Sequence, residues 1–270
     1  MENDRITREG EIKFSVVIPV YNAGQTIERA IDSVLAQSLP AYEIIVVDDA
    51  SNDNTREILE SKYASGITYI QKINNTGSSV ARNTGMDAAT GDYITFLDAD
   101  DTWHKDKLLL INTIFKANPG ITLFYHPYTQ ENISDKVLPG DIILYRLPFI
   151  KLLPSNRIAT SCLLLRNEPS FRFEPSMRYT EDYDLCLRIG FKYKIYFINI
   201  ALTQIFRKFT SKGGISENTW KMRKGEIRAY TRLIKLNPLF LFLLPFLITS
   251  SIGKHIYKKL VKSDKGYFEK

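Results

Sequence analysis

At 270 residues the chain can hold one large α/β domain, or a domain with an appendage, and can bury a substantial core. A hydrophobic share of 44% and a charged share of 24% lie near globular averages, which excludes a wholly disordered chain and a polytopic membrane protein. The net charge of +6 does not point to nucleic acid, because the basic excess gathers after Arg207 while the first half is balanced or acidic.

Residues 1–12 form a polar leader without the apolar stretch of a secretory signal, so a cytoplasmic protein is expected. FSVVIPV (14–20) is a short β-branched run without alternation, the pattern of a strand buried on both faces. Ile27, Ala30, Ile31, Val34 and Leu35 then recur at helical spacing, with Pro40 beyond the expected helix end. The rhythm continues through EIIVVDD (43–49), a helix in TREILESKYA, ITYIQ (67–71), a helix over 78–89, DYITFLD (92–98), a helix over 105–118 and ITLFYH (121–126). Such alternation predicts an α/β fold with a mostly parallel sheet flanked by helices, and ligands at the carboxyl ends of the strands.

After residue 127 four prolines (127, 139, 148 and 154) break the pattern, and an apolar strand is expected in ATSCLLLR (159–166). A helix from about Glu181 to Gly190 and strands in KIYFINI and LTQIFRKF follow. Cys162 and Cys186 lie in apolar stretches without metal-ligand spacing, which suits buried free thiols. NPLFLFLLPFLITSSIG (237–253) is apolar, interrupted by Pro245 and flanked by basic residues. It is short of the ~20 residues of a spanning helix. An in-plane segment touching a membrane surface is therefore expected, with a terminal helical hairpin packed on the domain as the alternative. The predicted division is a catalytic domain over 13–210 (nucleotide-binding half 13–126, acceptor half 127–210) and a basic, apolar helical extension over 211–270.

Asp48 and Asp49 end one predicted strand, and Asp98, Asp100 and Asp101 follow another. Carboxylates crowded on one sheet edge repel unless a cation or a donor-rich ligand intervenes. Oxygen ligands without His or Cys suit Mg²⁺ or Mn²⁺, which complete their shells with water and phosphate. Asp101 can instead start the following helix. In TEDYDLCLR, Thr180 can cap a helix whose first turn carries Glu181, Asp182 and Asp184.

Together SVVIPVYNAGQTIERAIDSVLAQS, EIIVVDDASNDNT, GSSVARNTGMDAATGDYITFLDADD and TEDYDLCLR resemble glycosyltransferase family 2, the inverting, nucleotide-sugar-dependent transferases of the A-type glycosyltransferase fold. The resemblance spans about residues 14–210. It implies that Pro19, Tyr21 and Asn22 surround the nucleotide, that Asp49 meets the base, usually uracil in the family, and that Arg82 approaches the donor. It further implies that Asp98 lies near the ribose and Asp100 on a Mn²⁺ or Mg²⁺ ion, that Asp182 is the general base, and that Glu181 stands beside it on the acceptor side. The processive Gln-x-x-Arg-Trp element is absent, which implies addition of a single sugar. Many members carry a Tyr-Arg-x-His segment where this chain has FRKF (206–209), leaving Arg207 as a candidate phosphate contact.

The implied activity is transfer of one hexosyl group from a nucleotide sugar, a UDP-sugar, to a saccharide acceptor. That acceptor is expected to be lipid-linked, in cell-surface polysaccharide or glycan assembly, with the enzyme peripheral on the cytoplasmic face of a membrane. Two other readings compete. FLDADDT also fits the Asp-x-Asp-x-Thr element of haloacid-dehalogenase-like phosphatases, although it stands on the fourth predicted strand rather than the first. A non-catalytic nucleotide-sugar-binding protein on the same fold is the other.

Overall fold

The computed structural model describes residues 12–133, 137, 139–154, 156, 158–206 and 218–261. The first half follows the predicted alternation: β1 (Phe14–Val20), α1 (Ile27–Leu35), β2 (Glu43–Asp48), α2 (Thr55–Lys62), β3 (Thr68–Gln71), α3 (Ser78–Ala88) and β4 (Tyr93–Phe96). Then come β5 (Thr102–Trp103), α4 (Lys107–Ala117), β6 (Leu123–Tyr125), β7 (Tyr128–Thr129), β8 (Leu144–Leu147) and α5 (Phe149–Leu152). The described chain ends with β9 (Leu163–Arg166), α6 (Glu181–Lys192), β10 (Ile195–Ile198), β11 (Thr203–Gln204), α7 (Thr219–Leu236) and α8 (Phe240–Val261).

Eight strands form the main sheet in the order β3-β2-β1-β4-β9-β6-β10-β8. The pairs β3-β2, β2-β1, β1-β4 and β6-β10 are parallel, whereas β9 runs antiparallel to both β4 and β6, and β8 antiparallel to β10. The sheet is therefore mostly parallel, with two reversed strands. A second sheet of three strands, β5-β11-β7, joins segments too short to show periodicity in the sequence.

Both faces of the sheet are covered. Val16 and Ile18 of β1 pack with Ile27, Ile31 and Val34 of α1 and Leu108, Ile111 and Phe115 of α4. Val17, pointing the other way, joins Met86 of α3, Phe96 of β4 and Leu187 of α6 in a second cluster. Each fully buried aliphatic of this kind stabilises the fold by about 1.5–3 kcal/mol. Leu35, expected in the apolar stripe of α1, is instead exposed at its C-terminal end. α3 lies close on β1 because Gly85 has no side chain; a Cβ there would stand 2.4 Å from a Val17 methyl.

The C-terminal segment is a helical hairpin that packs on α6 with one face. Ala229, Tyr230, Leu233, Phe240 and Leu247 bury their side chains in the α6 cluster, and Phe240 meets Phe149 and Phe191 edge-on. Buried Glu226 of α7 accepts a hydrogen bond from Ser251 of α8 at 2.7 Å. Asp184 of α6 binds Arg232 of α7 and Arg188 of its own helix, both at 2.8 Å. On the outward face of the hairpin, Leu239, Leu241, Phe242, Leu243 and Phe246 remain exposed. Among the described residues no helix is long and apolar enough to cross a membrane.

Candidate active site

The acidic residues converge on the edge where the parallel strands end. β1 lies between β2 and β4, with Val20 opposite Asp48 and Val17 opposite Phe96. The loops after these three strands are thereby neighbours. Asn22 and Ala50 take left-handed backbone angles (φ 49° and 67°), unusual for residues other than glycine and frequent at functional sites. The Asn22 amide donates to Ser51 Oγ at 2.9 Å, and its side-chain carbonyl accepts from the Asn52 amide at 2.8 Å. Asn22 thus laces the first loop to the second. Pro19 is the penultimate residue of β1, opposite Val47, and Tyr21, just past the strand end, is 47% exposed and open to a ligand.

The two aspartates of β2 face their own chain. Asp48 accepts from the Ser51 amide and hydroxyl and, through its other oxygen, from the Tyr69 hydroxyl at 3.0 Å. Asp49 accepts from the amides of Thr76 and Gly77 (3.0 and 2.6 Å) and pairs with Lys72 at 3.3 Å. Lys72 also donates to the Thr76 hydroxyl. Asp49 therefore binds the N-terminus of α3, where the helix dipole favours a negative charge.

From that anchored end, α3 carries Arg82 to the centre of the site. Its Nη2 lies 2.7 Å from Asp98 and its Nη1 lies 3.0 Å from Glu181, which also accepts from the Ser78 hydroxyl at 3.1 Å. Burial alone would lower the Arg82 pKa, but Asp98 and Glu181 more than offset it and hold the guanidinium charged. One cation thus joins the strand-end acidic cluster to the start of α6.

Asp182 follows Glu181 on the first turn of α6. One of its oxygens accepts from its neighbour's amide, Tyr183 N–H, at 2.7 Å and from Asn156 Nδ2 at 3.1 Å. Burial, with the adjacent Glu181 charge adding to it, pushes its carboxyl up to about 7. A carboxylate tuned near neutrality is suited to accept a proton from a hydroxyl. Thr180 does not cap this helix with its side chain. It stands in a left-handed conformation (φ 59°), strained for a β-branched residue, and its hydroxyl donates to the Tyr179 carbonyl at 2.6 Å. Glycine at 225 lets α7 press on that turn; a Cβ there would lie 2.6 Å from the Tyr179 carbonyl oxygen. Asp184 belongs to the α6–α7 ion pairs and points away from this chemistry.

The Asp98–Asp101 segment forms a tight turn closed by the Asp101 amide on the Asp98 carbonyl at 3.0 Å. Asp98 and Asp100 are partly exposed, whereas Asp101 is buried. Asp101 does not start the next helix: α4 begins at Lys107, and the Asp101 carboxyl accepts from Ser161 Oγ at 2.7 Å. Burial, with Asp98 and Asp100 close by, pushes Asp101 up to about 8. Lys107 is buried behind it over the Trp103 ring at 3.6 Å, and burial brings its amine down to about 7.

The donor set fits a hard divalent cation shared with a phosphate-bearing ligand. Asp98 has one oxygen on Arg82 and keeps 37% of its side chain exposed, and Asp100 is partly exposed beside it. Among the described residues no three His, Cys, Asp or Glu side chains are grouped to hold a metal by themselves, so phosphate and water would complete the shell.

Sequence reasoning missed Asn156 on Asp182, Ser78 on Glu181, Lys72 on Asp49 and Ser161 on the acidic turn, none of which has a local pattern. Cys162 and Cys186 are buried free thiols as expected. His104, His126 and Trp103 are core residues, while Trp220 is 51% exposed. Arg207 and Phe209 lie outside the described residues.

The arrangement of a mostly parallel sheet, an Asp-x-Asp turn and a carboxylate at the start of a facing helix is that of an A-type glycosyltransferase. The fold is shared with S. aureus TarS 1-349 in complex with UDP-GlcNAc (TM-score 0.66, 18% identity, 83% of this chain and 67% of that one). It is shared too with the mannosyltransferase PcManGT from Pyrobaculum calidifontis in complex with GDP-Man and Mn²⁺ (TM-score 0.60, 18% identity, 94% of this chain and 76% of that one). The model of the family "Glycosyl transferase family 2" matches residues 15–171, and the chain belongs to that family. Similar proteins include the amylovoran biosynthesis glycosyltransferase AmsB of Erwinia amylovora, 34% identical over 219 residues (75% of this chain, 73% of the relative). The UDP-Glc:alpha-D-GlcNAc-diphosphoundecaprenol beta-1,3-glucosyltransferase WfgD of Escherichia coli is 32% identical over 249 residues (90% and 95%). The chain is a glycosyltransferase, and the phosphatase reading of FLDADDT finds no support.

Proposed function

We propose that the protein transfers a single sugar from a UDP-sugar to a lipid-linked saccharide acceptor, with inversion and with a divalent cation. One observation carries this reading: Arg82 ties Asp98 of the donor-side turn to Glu181, the residue before Asp182 on α6. Tyr21 and Asn22 would border the nucleotide, with Pro19 beneath. Asp49 would act on the base side both directly and by fixing the Thr76–Gly77 amides, its contacts in the free protein.

The acceptor hydroxyl is a poor nucleophile until its proton has somewhere to go. Asp182 takes that proton as the oxygen bonds to the anomeric carbon, while the bond from that carbon to the nucleoside diphosphate breaks on the opposite face. Asp98 and Asp100 would hold Mn²⁺ or Mg²⁺, which supplies charge neutralisation to the leaving diphosphate. Arg82 keeps Asp98 and Glu181 in fixed relation.

The lipid-linked acceptor draws support from the exposed apolar face of α8, whose flanking sequence is basic from Arg232 and Lys235 to Lys254 and Lys258. Such a face suits shallow insertion at an anionic membrane surface. WfgD, by its name, acts on a diphosphoundecaprenol-linked sugar. We place the enzyme at the cytoplasmic surface of such a membrane.

Screening nucleotide sugars with Mn²⁺ by thermal shift and by hydrolysis tests the reading, since a ligand that binds the fold raises its apparent stability. A UDP-sugar should stabilise and be turned over by the unsubstituted protein, and Asp100→Ala should lose the metal-dependent part. A protein that binds UDP-sugars yet neither hydrolyses nor transfers them would favour a non-catalytic role.

A further inference from the structure

Ser161 sits in the single turn Thr160–Cys162 that leads into β9, and it is buried. Its carbonyl accepts three side-chain donors from three elements: Trp103 Nε1 of β5 at 3.2 Å, Lys107 Nζ of α4 at 3.1 Å and Thr203 Oγ1 of β11 at 3.0 Å. Few positions in a core are fixed from so many directions. The hydroxyl meanwhile faces the acidic turn. It accepts from the Asp98 amide at 3.0 Å and donates to Asp101 Oδ2 at 2.7 Å, so one atom spans both ends of the turn that presents Asp98 and Asp100. The middle of that turn is held separately by Arg29, which donates to the Asp100 carbonyl at 2.7 Å.

We propose that Ser161 is a positioning residue that sets the geometry with which Asp98 and Asp100 meet a divalent cation and the donor diphosphate. This rests on the donor reading above. Among the described residues only Asp98 and Asp100 are offered to the metal, and a cation held by two carboxylates is sensitive to their mutual placement. Groups that orient such ligands typically contribute between about ten- and a hundredfold in metal affinity.

The experiment is calorimetric titration of the full chain with UDP, with saturating Mn²⁺ and with chelator, alongside melting temperatures. Ser161→Ala is expected to lose at least about tenfold of the Mn²⁺-dependent gain in UDP affinity while metal-free UDP affinity stays unchanged. Thr203→Val removes one donor to the Ser161 carbonyl without touching the hydroxyl. It should lower the melting temperature and leave the Mn²⁺-dependent gain intact. Ser161→Cys, which keeps the volume with a weaker bridging group, should fall between the unsubstituted protein and alanine, and provides the measurement if Ser161→Ala does not fold. An unchanged Mn²⁺-dependent gain in either Ser161 variant would overturn the proposal, as would an equal loss in Thr203→Val. Absence of Mn²⁺-dependent UDP binding in the unsubstituted protein would instead overturn the donor reading, and the role of Ser161 with it.

Discussion

The Arg82 guanidinium meets Asp98 at 2.7 Å across a gap of 16 residues in sequence, on the buried side of a carboxylate whose other side faces solvent. Its Nη1 is used on Glu181, and its Nε, although buried, has no hydrogen-bond partner. The fork geometry therefore matters more than the charge, and lysine cannot reproduce it. Arg82→Lys should raise the donor KM by about tenfold or more. Arg82→Met should also destabilise the fold by about 3 kcal/mol, the low end for a broken buried pair because Asp98 is partly solvated. Steady-state kinetics and denaturant unfolding measure the two effects separately.

Asp182 has its carboxyl pushed up to about 7 by burial and by Glu181, so its base form fills only as the pH rises through neutrality. Transfer should climb on the acid side with an apparent pKa near 7 as Asp182 loses its proton, then level off. The effect on stability has the opposite sense. The folded protein favours the protonated acid, so this contribution is complete at low pH and is lost as the pH rises through about 7. Asp182→Asn should reduce transfer by about 10²–10⁴-fold. Retained UDP affinity in that variant would separate a lost base from a lost site.

Gly225 presses on the turn before Asp182, and a Cβ there would meet both the Thr180 hydroxyl and the Tyr179 backbone carbonyl. Gly225→Ala should cost about 1–3 kcal/mol through this clash. If α7 sets the entry of α6, kcat for transfer should fall while the donor KM stays constant.

Phe242 and Phe246, 80% and 69% exposed, stand on the outer face of α8. Replacing both by serine removes about 1.5–3 kcal/mol of insertion energy per ring. Sedimentation with phosphatidylglycerol vesicles should then show a loss of binding of about 10²–10⁴-fold, with the melting temperature unchanged. Equal sedimentation of the variant and the parent would refute membrane contact through this face.

Much of the first half of the chain is legible in the sequence, for a physical reason. FSVVIPV and the IIVV of EIIVVDD show no polar alternation because both faces of their strands are covered, and the boundaries of β1 match the first run. The acidic cluster is equally visible, since its members lie on strand ends in chain order. What the sequence conceals are pairings at long range. Arg82 and Glu181 are 99 residues apart, and nothing local marks either as the other's partner. Asp101 illustrates a second kind of difficulty. Aspartate after a strand is a common way to open a helix, and only the burial of this one beside Ser161 reveals a different use. The two-residue strands β5, β7 and β11 carry no period at all and exist because the second sheet gathers them.

The reversal of β9 carries a further consequence. Because it runs against β4 and β6, Leu163, its first residue, stands opposite Tyr125 at the edge where the parallel strands end. The chain returning from the proline-rich stretch must therefore pass the acidic turn before it can enter the sheet. That stretch can lengthen, shorten or change its contacts while its re-entry stays moored at one place. The reversed strand acts as a seam: the chain on one side of it can vary while the acidic turn on the other keeps its shape.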